Sequence, residues 1–375
     1  MRDIRATLTR ECEDTDLAQD YRRSLGSRNT HNVVSIIFLS LVSISALVFC
    51  IVLLFRNAAL EKEEEAVRLE LEAINSEGYY TIAETEKMIE DAEITARVEA
   101  TNSLKNKIQG KLEAGDGTTA TIRSLFPEQI VVASDGRYYF FPISDSIAHH
   151  EFEEDDFKIG EDGFLTYVGD NAFINVKKGI DVSRFQGKID WEKVAGAGVD
   201  FAIIRVGLRG TSEGKLLVDD MFETNIKGAT KNGIKVGVYI YSQALDEEEA
   251  KEEAQLVLDN IEPYEITYPV VIDIESADSD TARTNSMTSD KYEIVAKTFC
   301  DMIGNAGYKP MIYGNVKSFT LLMDAEDVDD YGIWIAYYGT PLYYPYHFDI
   351  WQYSSTGRVD GIDGNVDLNI CITDY

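Results

Sequence analysis

Hydrophobic and polar positions divide the chain into segments with different periods. Residues 33–55 contain no charged side chain, and about 20 apolar residues are enough for a helix to cross a bilayer. Residues 57–114 are rich in Ala, Glu, Leu and Lys, with apolar positions at helical spacing but without sustained heptads. They predict a helical stalk, which can be a single solvated helix or a coiled-coil dimer.

Short strand-like runs begin after the turn residues of "GDGTTA" at 115–120. "QIVVA" and "RYYFFPI" are joined by "SDG", which contains the Asp-Gly pair typical of hairpins, and "FLTYVG" follows. Residues 118–176 therefore predict a small β-rich module. We expect it to act as a spacer without chemistry of its own.

Residues 178–375 alternate strand-like runs with helical patterns, from "GIDVS" to "KPMIYG". This alternation predicts βαβ units with a parallel sheet, and the continuous apolar strands favour a closed β/α barrel of the TIM-like kind over an open sheet. Three later runs, "YGIWIAY", "FDIWQY" and "NVDLNI", are separated by loops instead of long helices. We therefore expect an irregular barrel.

Acidic, aromatic and amide side chains lie where the predicted strands end. Active sites of β/α barrels form at the C-terminal ends of their strands, so we expect these residues to meet at one rim. The acids are Asp181, Asp273, Glu275 and Asp367. The expected substrate-binding residues are Tyr239, Tyr241, Tyr313, Trp334, Tyr337, Trp351 and Gln352, since sugar faces pack on aromatic rings while hydroxyl groups bond to amides.

The run "YPVVIDIES" places two carboxyl groups at positions i and i+2 of one strand. Asp273 and Glu275 should then share a face, with a rise of roughly 6.6 Å between them. Neighbouring acids raise the pKa of one member, which leaves a proton donor beside an ionised partner, as glycosidic cleavage requires. The alternative is a pair that binds a cation or forms a salt bridge with Arg205.

Four motifs resemble family 25 glycoside hydrolases, the lysozymes of bacterial, phage and fungal type. They are "GIDVSRFQGKIDW" at 179–191, "VVIDIES" at 270–276, "IWIAYY" at 333–338 and "IWQYSSTGRVDGIDGNVDLN" at 350–369. The resemblance implies an irregular β/α barrel that cleaves the β-1,4 bond between N-acetylmuramic acid and N-acetylglucosamine in peptidoglycan. It also implies Glu275 as general acid, Asp273 as the group that stabilises the reacting sugar, and Asp181 and Asp367 as groups that tune charge and hold water or substrate.

The stereochemical route stays open at this point, because an i, i+2 pair can fall between the carboxyl separations of retaining and inverting enzymes. We favour substrate assistance by the 2-acetamido group. Two other functions remain: a catalytically silent glycan-binding scaffold or wall sensor, and a chitinase.

Charge and cysteine content exclude several classes of partner. The formal net charge is −31, which argues against a nucleic-acid partner because phosphate binding needs clustered Lys and Arg. The spacing of Cys12, Cys50, Cys300 and Cys371 fits no zinc site, and the sequence implies no metal or organic cofactor. Buried free thiols are favoured for Cys300 and Cys371, with a disulfide between them as the alternative.

Basic residues set the expected orientation of the segment at 33–55. Arg22, Arg23 and Arg28 precede it and Arg56 alone follows before the acidic run "EKEEE", which predicts residues 1–32 as a cytoplasmic tail. An uncleaved anchor is favoured over a signal peptide because the apolar run exceeds the usual signal core, and over a lipobox at Cys50 because Phe49 precedes it where a small residue is expected. We expect a single-pass cell-membrane protein with an extracellular catalytic domain and peptidoglycan glycan strands as partner.

Overall fold

The structure is a computed structural model that describes residues 37, 39, 41–42, 44–45, 48–49, 51–72, 80–153 and 155–375. The chain divides into two compact units, Met1–Glu113 and Ala114–Tyr375. Part of the apolar segment at 33–55 lies outside the described residues. Within the described ranges, no helix is both long enough and apolar enough to cross a membrane.

The first unit is helical where it is described. Residues 51–72 form helix, and helix α1 spans Ile82–Glu113 without a buried side chain. The start of α1 is fixed by a reciprocal cap, in which the Thr81 backbone N–H donates to Glu84 Oε2 at 2.8 Å and the Glu84 backbone N–H donates to Thr81 Oγ1 at 3.4 Å. The helical character predicted from composition is confirmed for these ranges, and dimerisation stays a prediction.

The small module at the start of the second unit contains one helix and two hairpins. Its elements are α2 (Thr118–Leu125), β1 (Gln129–Ser134), β2 (Arg137–Pro142), β3 (Phe157–Ile159) and β4 (Leu165–Tyr167). Strands β1 and β2 are antiparallel, and their turn uses Asp135 and Gly136 at φ of 52° and 71°, as the "SDG" motif predicts. Helix α2 differs from the strand-rich prediction, because its short amphipathic run begins directly after turn residues.

The remaining elements form the barrel and its covering helices. The strands are β5 (Lys177–Val182), β6 (Phe201–Arg209), β7 (Leu216–Val218), β8 (Lys235–Tyr241), β9 (Val270–Asp273), β10 (Pro310–Asn315), β11 (Gly332–Ala336), β12 (Ile350–Gly357) and β13 (Val366–Cys371). The α-helices are α3 (Trp191–Gly196), α4 (Phe222–Lys231), α5 (Glu247–Ile261), α6 (Ser289–Asn305) and α7 (Ala325–Val328), with a 3-10 turn at Arg184–Gln186 and a π-helical turn at Ser318–Leu322.

Eight strands close into a ring in the order β5-β6-β8-β9-β10-β11-β12-β13, while β7 is an antiparallel addition to β6. Seven of the ring strands are parallel neighbours. Strand β13 is antiparallel to both β12 and β5, and it closes the ring. The predicted irregular β/α barrel is confirmed, and its irregularity includes a reversed strand that the strand pattern alone does not indicate.

The barrel interior and its outer layer are filled by alternate residues of the same strands. Side chains such as Phe201, Val271 and Met311 pack inside the ring. The next residue of each strand, Ala202, Ile272 and Ile312, belongs to the cluster that includes the covering helices. Cys300 on α6 and Cys371 on β13 are both buried and free. The expectation of two buried free thiols is confirmed.

The small module packs directly on the barrel. The Phe157 ring lies edge-on to the Trp351 ring at 5.5 Å between centroids, and the Leu165 backbone N–H donates to the Tyr353 hydroxyl at 3.0 Å. The Val131 backbone N–H also donates to the Tyr343 hydroxyl at 2.7 Å. Apolar and polar contacts together make the module one compact unit with the barrel.

Candidate active site

Four carboxyl groups lie at one rim of the barrel. Asp273 ends β9, Glu275 follows it by two residues, and Asp181 lies near the end of β5. Asp367 lies near the start of β13 and pairs with Asp181 across the two strands. Because β13 runs in the opposite direction, its beginning reaches the rim where the parallel strands end.

Asp181 is held by two amide side chains. Gln352 Nε2 and Asn369 Nδ2 each donate to Asp181 Oδ2 at 2.8 Å. The indole N–H of Trp334 donates to Asn369 Oδ1 at 2.8 Å, which fixes the orientation of that amide. The carboxylate therefore occupies a defined position, since its donors are themselves oriented.

The Gln352 amide is oriented in the same way by two tyrosines. The hydroxyl groups of Tyr313 and Tyr338 donate to Gln352 Oε1 at 2.9 Å and 2.8 Å. With its oxygen occupied, the amide presents its N–H to Asp181. This network connects β5, β10 and β12 at the level of the acids.

Asp273 and Glu275 have different surroundings. The Asp273 side chain is buried, with the residue 6% exposed, and its Oδ1 atom has no hydrogen-bond partner among the described groups. Glu275 is half-buried and lines an open cleft. Asp273 thus lies deeper in the rim, with one carboxyl oxygen free to accept a hydrogen bond, while Glu275 reaches the open cleft.

The alternative roles of the Asp273 and Glu275 pair find no support in the described contacts. Arg205 forms its ion pair with Asp219, with Nε and Nη2 at 2.7 Å and 2.6 Å from the same oxygen. Within residues 80–153 and 155–375, and in the described part of the first unit, no group of three or more His, Cys, Asp or Glu side chains is arranged to hold a metal ion.

Burial raises the pKa of every acid in this cluster, and repulsion by neighbouring acids adds to the effect for Asp181, Asp273 and Glu275. Burial raises the pKa of Asp181 and of Asp273 well above the ordinary range, with further increases from Asp367 and Glu275 respectively. The pKa of Glu275 is raised by burial and by Asp367, and burial raises the pKa of Asp367 to about 6. Raised pKa values favour the protonated form of a carboxyl group, and a protonated carboxyl group beside the cleft is suited to donate a proton.

A cleft of about 480 Å³ opens beside Glu275. On the barrel side it is lined by Glu275, Tyr313, Tyr337 and Tyr338. The opposite side is formed by α2 and β1 of the small module. An acid and three phenol rings facing one cleft form a surface suited to a sugar chain.

The aromatic residues predicted to bind substrate do not all reach this cleft. Tyr313 and Tyr337 line it, and Tyr239 and Trp334 belong to the inward-facing cluster of the barrel. Trp334 is 1% exposed, so its role here is to hold Asn369. Tyr241 pairs with Asp273 across β8 and β9, and its pKa is raised by burial and then by the nearby Asp273.

Trp351 lies on the opposite face of its strand from Gln352. It is 0% exposed, packs against Phe157 of the module and donates its indole N–H to the Tyr337 carbonyl at 2.8 Å. Successive side chains of a strand point to opposite faces, so two adjacent residues cannot both face the barrel interior. The structure does not bring Trp351 together with the acids.

Two residues of the network were not expected from the sequence. Asn369 lies two positions after Asp367 and therefore on the same face of β13, which is a signal that "GNVDLN" contains. Tyr338, 56% exposed, follows β11 and has no comparable signal, because only the tertiary fold brings its hydroxyl to Gln352.

Comparison with known proteins identifies relatives of the barrel. A model of "Glycosyl hydrolases family 25" matches residues 180–362, a range that includes Asp181, Asp273 and Glu275 and ends before Asp367. The chain is 32% identical over 201 residues to the "Uncharacterized protein YegX" of Escherichia coli K12, which covers 51% of this chain and 68% of that protein.

Two further relatives carry descriptive names. The "Autolytic lysozyme" of Clostridium acetobutylicum is 28% identical over 193 residues, covering 51% of this chain and 55% of that protein. The solved structure of the modular autolysin LytC from Streptococcus pneumoniae is 25% identical, covers 64% of this chain and 57% of that one, and superposes with a TM-score of 0.49. This chain thus spans little more than half the length of either protein.

Proposed function

Because this chain belongs to glycosyl hydrolase family 25 and is therefore a glycoside hydrolase, we propose that it cleaves the β-1,4 bond between N-acetylmuramic acid and N-acetylglucosamine in peptidoglycan. One observation carries the proposal. Glu275, whose pKa is raised by burial and by Asp367, lines the cleft two residues after the buried Asp273. A protonated acid next to a second carboxyl group is the arrangement that glycosidic cleavage uses.

In the proposed reaction Glu275 is the general acid. It donates its proton to the glycosidic oxygen while the bond from that oxygen to the anomeric carbon breaks. The electron pair of the broken bond stays on the leaving oxygen. Proton transfer of this kind contributes typically about 10²- to 10⁴-fold to the rate.

We assign the nucleophile to the substrate's own 2-acetamido group. Its carbonyl oxygen attacks the anomeric carbon as the leaving group departs, which forms an oxazolinium ion. Asp273 Oδ1, buried and unpartnered among the described groups, is an acceptor for the amide N–H of that group. Water then attacks the anomeric carbon and returns a proton to Glu275, giving net retention of configuration.

Asp181 and Asp367 act as supporting acids in this proposal. Asp181 accepts hydrogen bonds from Gln352 and Asn369, so its charge lies at a fixed distance from the reacting sugar. Asp367 keeps the pKa of Glu275 high through its negative charge. Asp181 thus helps to position the substrate and Asp367 adjusts the pKa of Glu275, while Glu275 and Asp273 contact the reacting atoms.

We further propose that the enzyme is anchored in the cell membrane through residues 33–55, with residues 1–32 cytoplasmic and the barrel extracellular. The uncharged apolar run and the basic residues before it support this assignment. The stalk would tether the barrel as a single helix or as a homodimeric coiled coil. Protease added to intact cells should remove the barrel and leave a short membrane-bound fragment, and a barrel protected from protease would exclude this orientation.

Release of reducing ends from purified peptidoglycan tests the enzymatic proposal. The full chain is compared with its Glu275→Gln variant and with Glu265→Gln, a change at an exposed acid away from the cleft. We expect wild-type and Glu265→Gln protein to be active and Glu275→Gln to lose about 10²- to 10⁴-fold in kcat. Equal, near-zero release by all three would favour the silent glycan-binding scaffold, and release from chitin instead of peptidoglycan would favour a chitinase.

A further inference from the structure

The cleft beside Glu275 has a second wall that the barrel does not supply. Thr119 and Arg123 of α2, with Val132 and Ala133 of β1, face the barrel residues across it. These four side chains belong to the small module that precedes the barrel. A module that lines the cleft next to the general acid contacts whatever the cleft binds.

The Arg123 side chain is held at this wall by three contacts. Its Nε donates to the Val131 carbonyl at 3.1 Å, its guanidinium carbon lies 3.8 Å from the centre of the Tyr343 ring, and Nη1 lies 3.5 Å from the Tyr337 hydroxyl. The stacking and the main-chain bond use one edge and one face of the group. The position of the positive charge is therefore set before any ligand binds.

Lys317 brings a second positive charge to the same cleft from the barrel side. Its position after β10 is fixed by its backbone N–H, which donates to Asn315 Oδ1 at 2.9 Å. Neither Arg123 nor Lys317 forms an ion pair with a carboxylate of the described residues. In a chain with a formal net charge of −31, two such cations beside the acid cluster are unusual.

We propose that Arg123 and Lys317 bind a carboxylate on the muramic acid side of the substrate, and that the small module is thereby part of the substrate-binding cleft. This inference rests on the proposed function. Muramic acid carries a lactyl group that ends in a carboxylate or continues into a stem peptide with its own carboxylates. Guanidinium and ammonium groups are the side chains that bind carboxylates through charge-assisted hydrogen bonds.

Binding of a carboxylate by Arg123 and Lys317 gives a physical reason why the enzyme would prefer peptidoglycan to a polymer of N-acetylglucosamine. A polymer of N-acetylglucosamine alone has no negative charge to place between Arg123 and Lys317. A muramic acid strand has one at every second sugar. The acids of the barrel rim would repel such a charge, so the positions of Arg123 and Lys317 also set which way the side group points.

Steady-state kinetics of the full chain test the proposal with three variants that remove a charge and with Arg123→Lys, which keeps it. Arg123→Gln and Lys317→Gln each remove one charge, and Arg137→Gln removes an exposed charge of the same module outside the cleft. Each protein is measured on peptide-bearing peptidoglycan strands and on strands whose peptides an amidase has removed, at low and at high salt. Thermal melting of each variant reports on folding.

We expect KM to rise about 10-fold in Arg123→Gln and in Lys317→Gln, with kcat unchanged and with most of the salt dependence of KM lost. A rise on the peptide-free strands alone identifies the lactyl carboxylate, which the amidase sets free, and a rise on peptide-bearing strands alone identifies a carboxylate of the stem peptide. A rise on both substrates means that the two cations bind either carboxylate. Arg123→Lys should recover only part of the lost affinity, because lysine keeps the charge but not the Val131 hydrogen bond or the stacking on Tyr343. Arg137→Gln should behave as wild type.

Two outcomes would overturn the inference while leaving the proposed function intact. One is active wild-type protein with KM unchanged in both cleft variants. The other is a rise in KM that is independent of salt and accompanied by a lower melting temperature, which would make the Arg123 contacts structural. Wild-type protein inactive on both substrates would instead reject the proposed function itself.

Discussion

The Asn369 amide donates a 2.8 Å hydrogen bond to Asp181, and the two residues are 188 positions apart in the chain. Asn369 also accepts a hydrogen bond from the indole N–H of Trp334. The buried Trp334 ring thus orients the Asn369 amide, and the amide in turn holds Asp181. The position of Asp181 is thus determined by core packing as much as by its own strand.

Removing this donor should change the acid limb of the pH profile. The Asn369 hydrogen bond lowers the pKa of Asp181 against the larger effect of burial, so Asn369→Ala should raise that pKa further. We expect kcat to fall about 10-fold and the acid limb of the kcat profile to move to higher pH. Asn305→Ala, at an exposed position on α6, is the matched control. An unchanged acid limb would mean that Asp181 does not need to be ionised.

Substitution of Asp367 should act on the alkaline limb. The negative charge of Asp367 raises the pKa of Glu275, which must be protonated to act as general acid. In Asp367→Asn this contribution is absent, so Glu275 loses its proton at lower pH and the alkaline limb of kcat moves to lower pH. Rates measured from pH 4 to pH 9 would show the shift, and a shift in the opposite direction would remove Glu275 from the donor role.

Substrate assistance predicts the configuration of the product. If the acetamido oxygen attacks the anomeric carbon, the first product formed has the β configuration and no sugar is bound covalently to the protein. NMR of the fresh reaction gives the anomer, and mass spectrometry of protein quenched during turnover reports any adduct. Net inversion, or an adduct on Asp273, would exclude this route.

The buried Asp273 carboxyl group should lower stability at neutral pH. Burial raises the pKa of Asp273 in the folded state above the value of about 4 in the unfolded chain. At any pH between these two pKa values, the folded state therefore binds more protons than the unfolded state. The free energy of unfolding then falls as pH rises from about 4 through the raised pKa. Asp273→Asn removes this loss.

Melting temperatures check the sign of this effect. We expect Asp273→Asn to melt several degrees above wild type at pH 7.5, with the difference disappearing near pH 4. A variant that melts below wild type at pH 7.5 would show that the ionised carboxylate is stabilised by contacts, in contradiction to its unpartnered Oδ1.

The contact between the module and the barrel should contribute to global stability. Phe157 is buried against Trp351, and Phe157→Ala should cost about 3 kcal/mol of the free energy of unfolding. Phe173→Ala, at a ring 96% exposed in the same module, should be neutral. Urea unfolding measures both. A single lowered transition is expected, whereas an early separate transition would mean that the module unfolds independently.

The local pattern of apolar and polar residues was enough to predict most of the barrel strands and the rim on which the acids lie. Asp181, Asp273 and Glu275 each follow an apolar strand whose burial is visible from composition, so their common rim follows from the rule for barrel strands. The direction of β13 was not predictable in this way, because an antiparallel strand shows the same short apolar run as a parallel one. Its reversal is what brings Asp367 to the rim at the start of its strand.

The sequence was a poorer guide to residues whose positions are set by contacts with distant parts of the chain. Trp351 and Gln352 are adjacent, and the pattern could not decide which faces inward without knowledge of the register with β11. Helix α2 and its Arg123 gave no indication of the cleft, because the contacts of Arg123 with Tyr337 and Tyr343 span more than 200 residues. Such contacts are set by the tertiary fold, and local periodicity carries no information on them.

The closure of the ring by β13 between β5 and β12 also has a kinetic consequence. Asp181 is synthesised long before Gln352 and Asn369, which lie 171 and 188 residues later in the chain. A growing chain therefore holds an acid without its donors until the eighth strand has been made, and pairing of this range is slow to form. We therefore expect a chain that ends before β13 to be inactive, because Asp181 then lacks the Asn369 donor and the ring stays open.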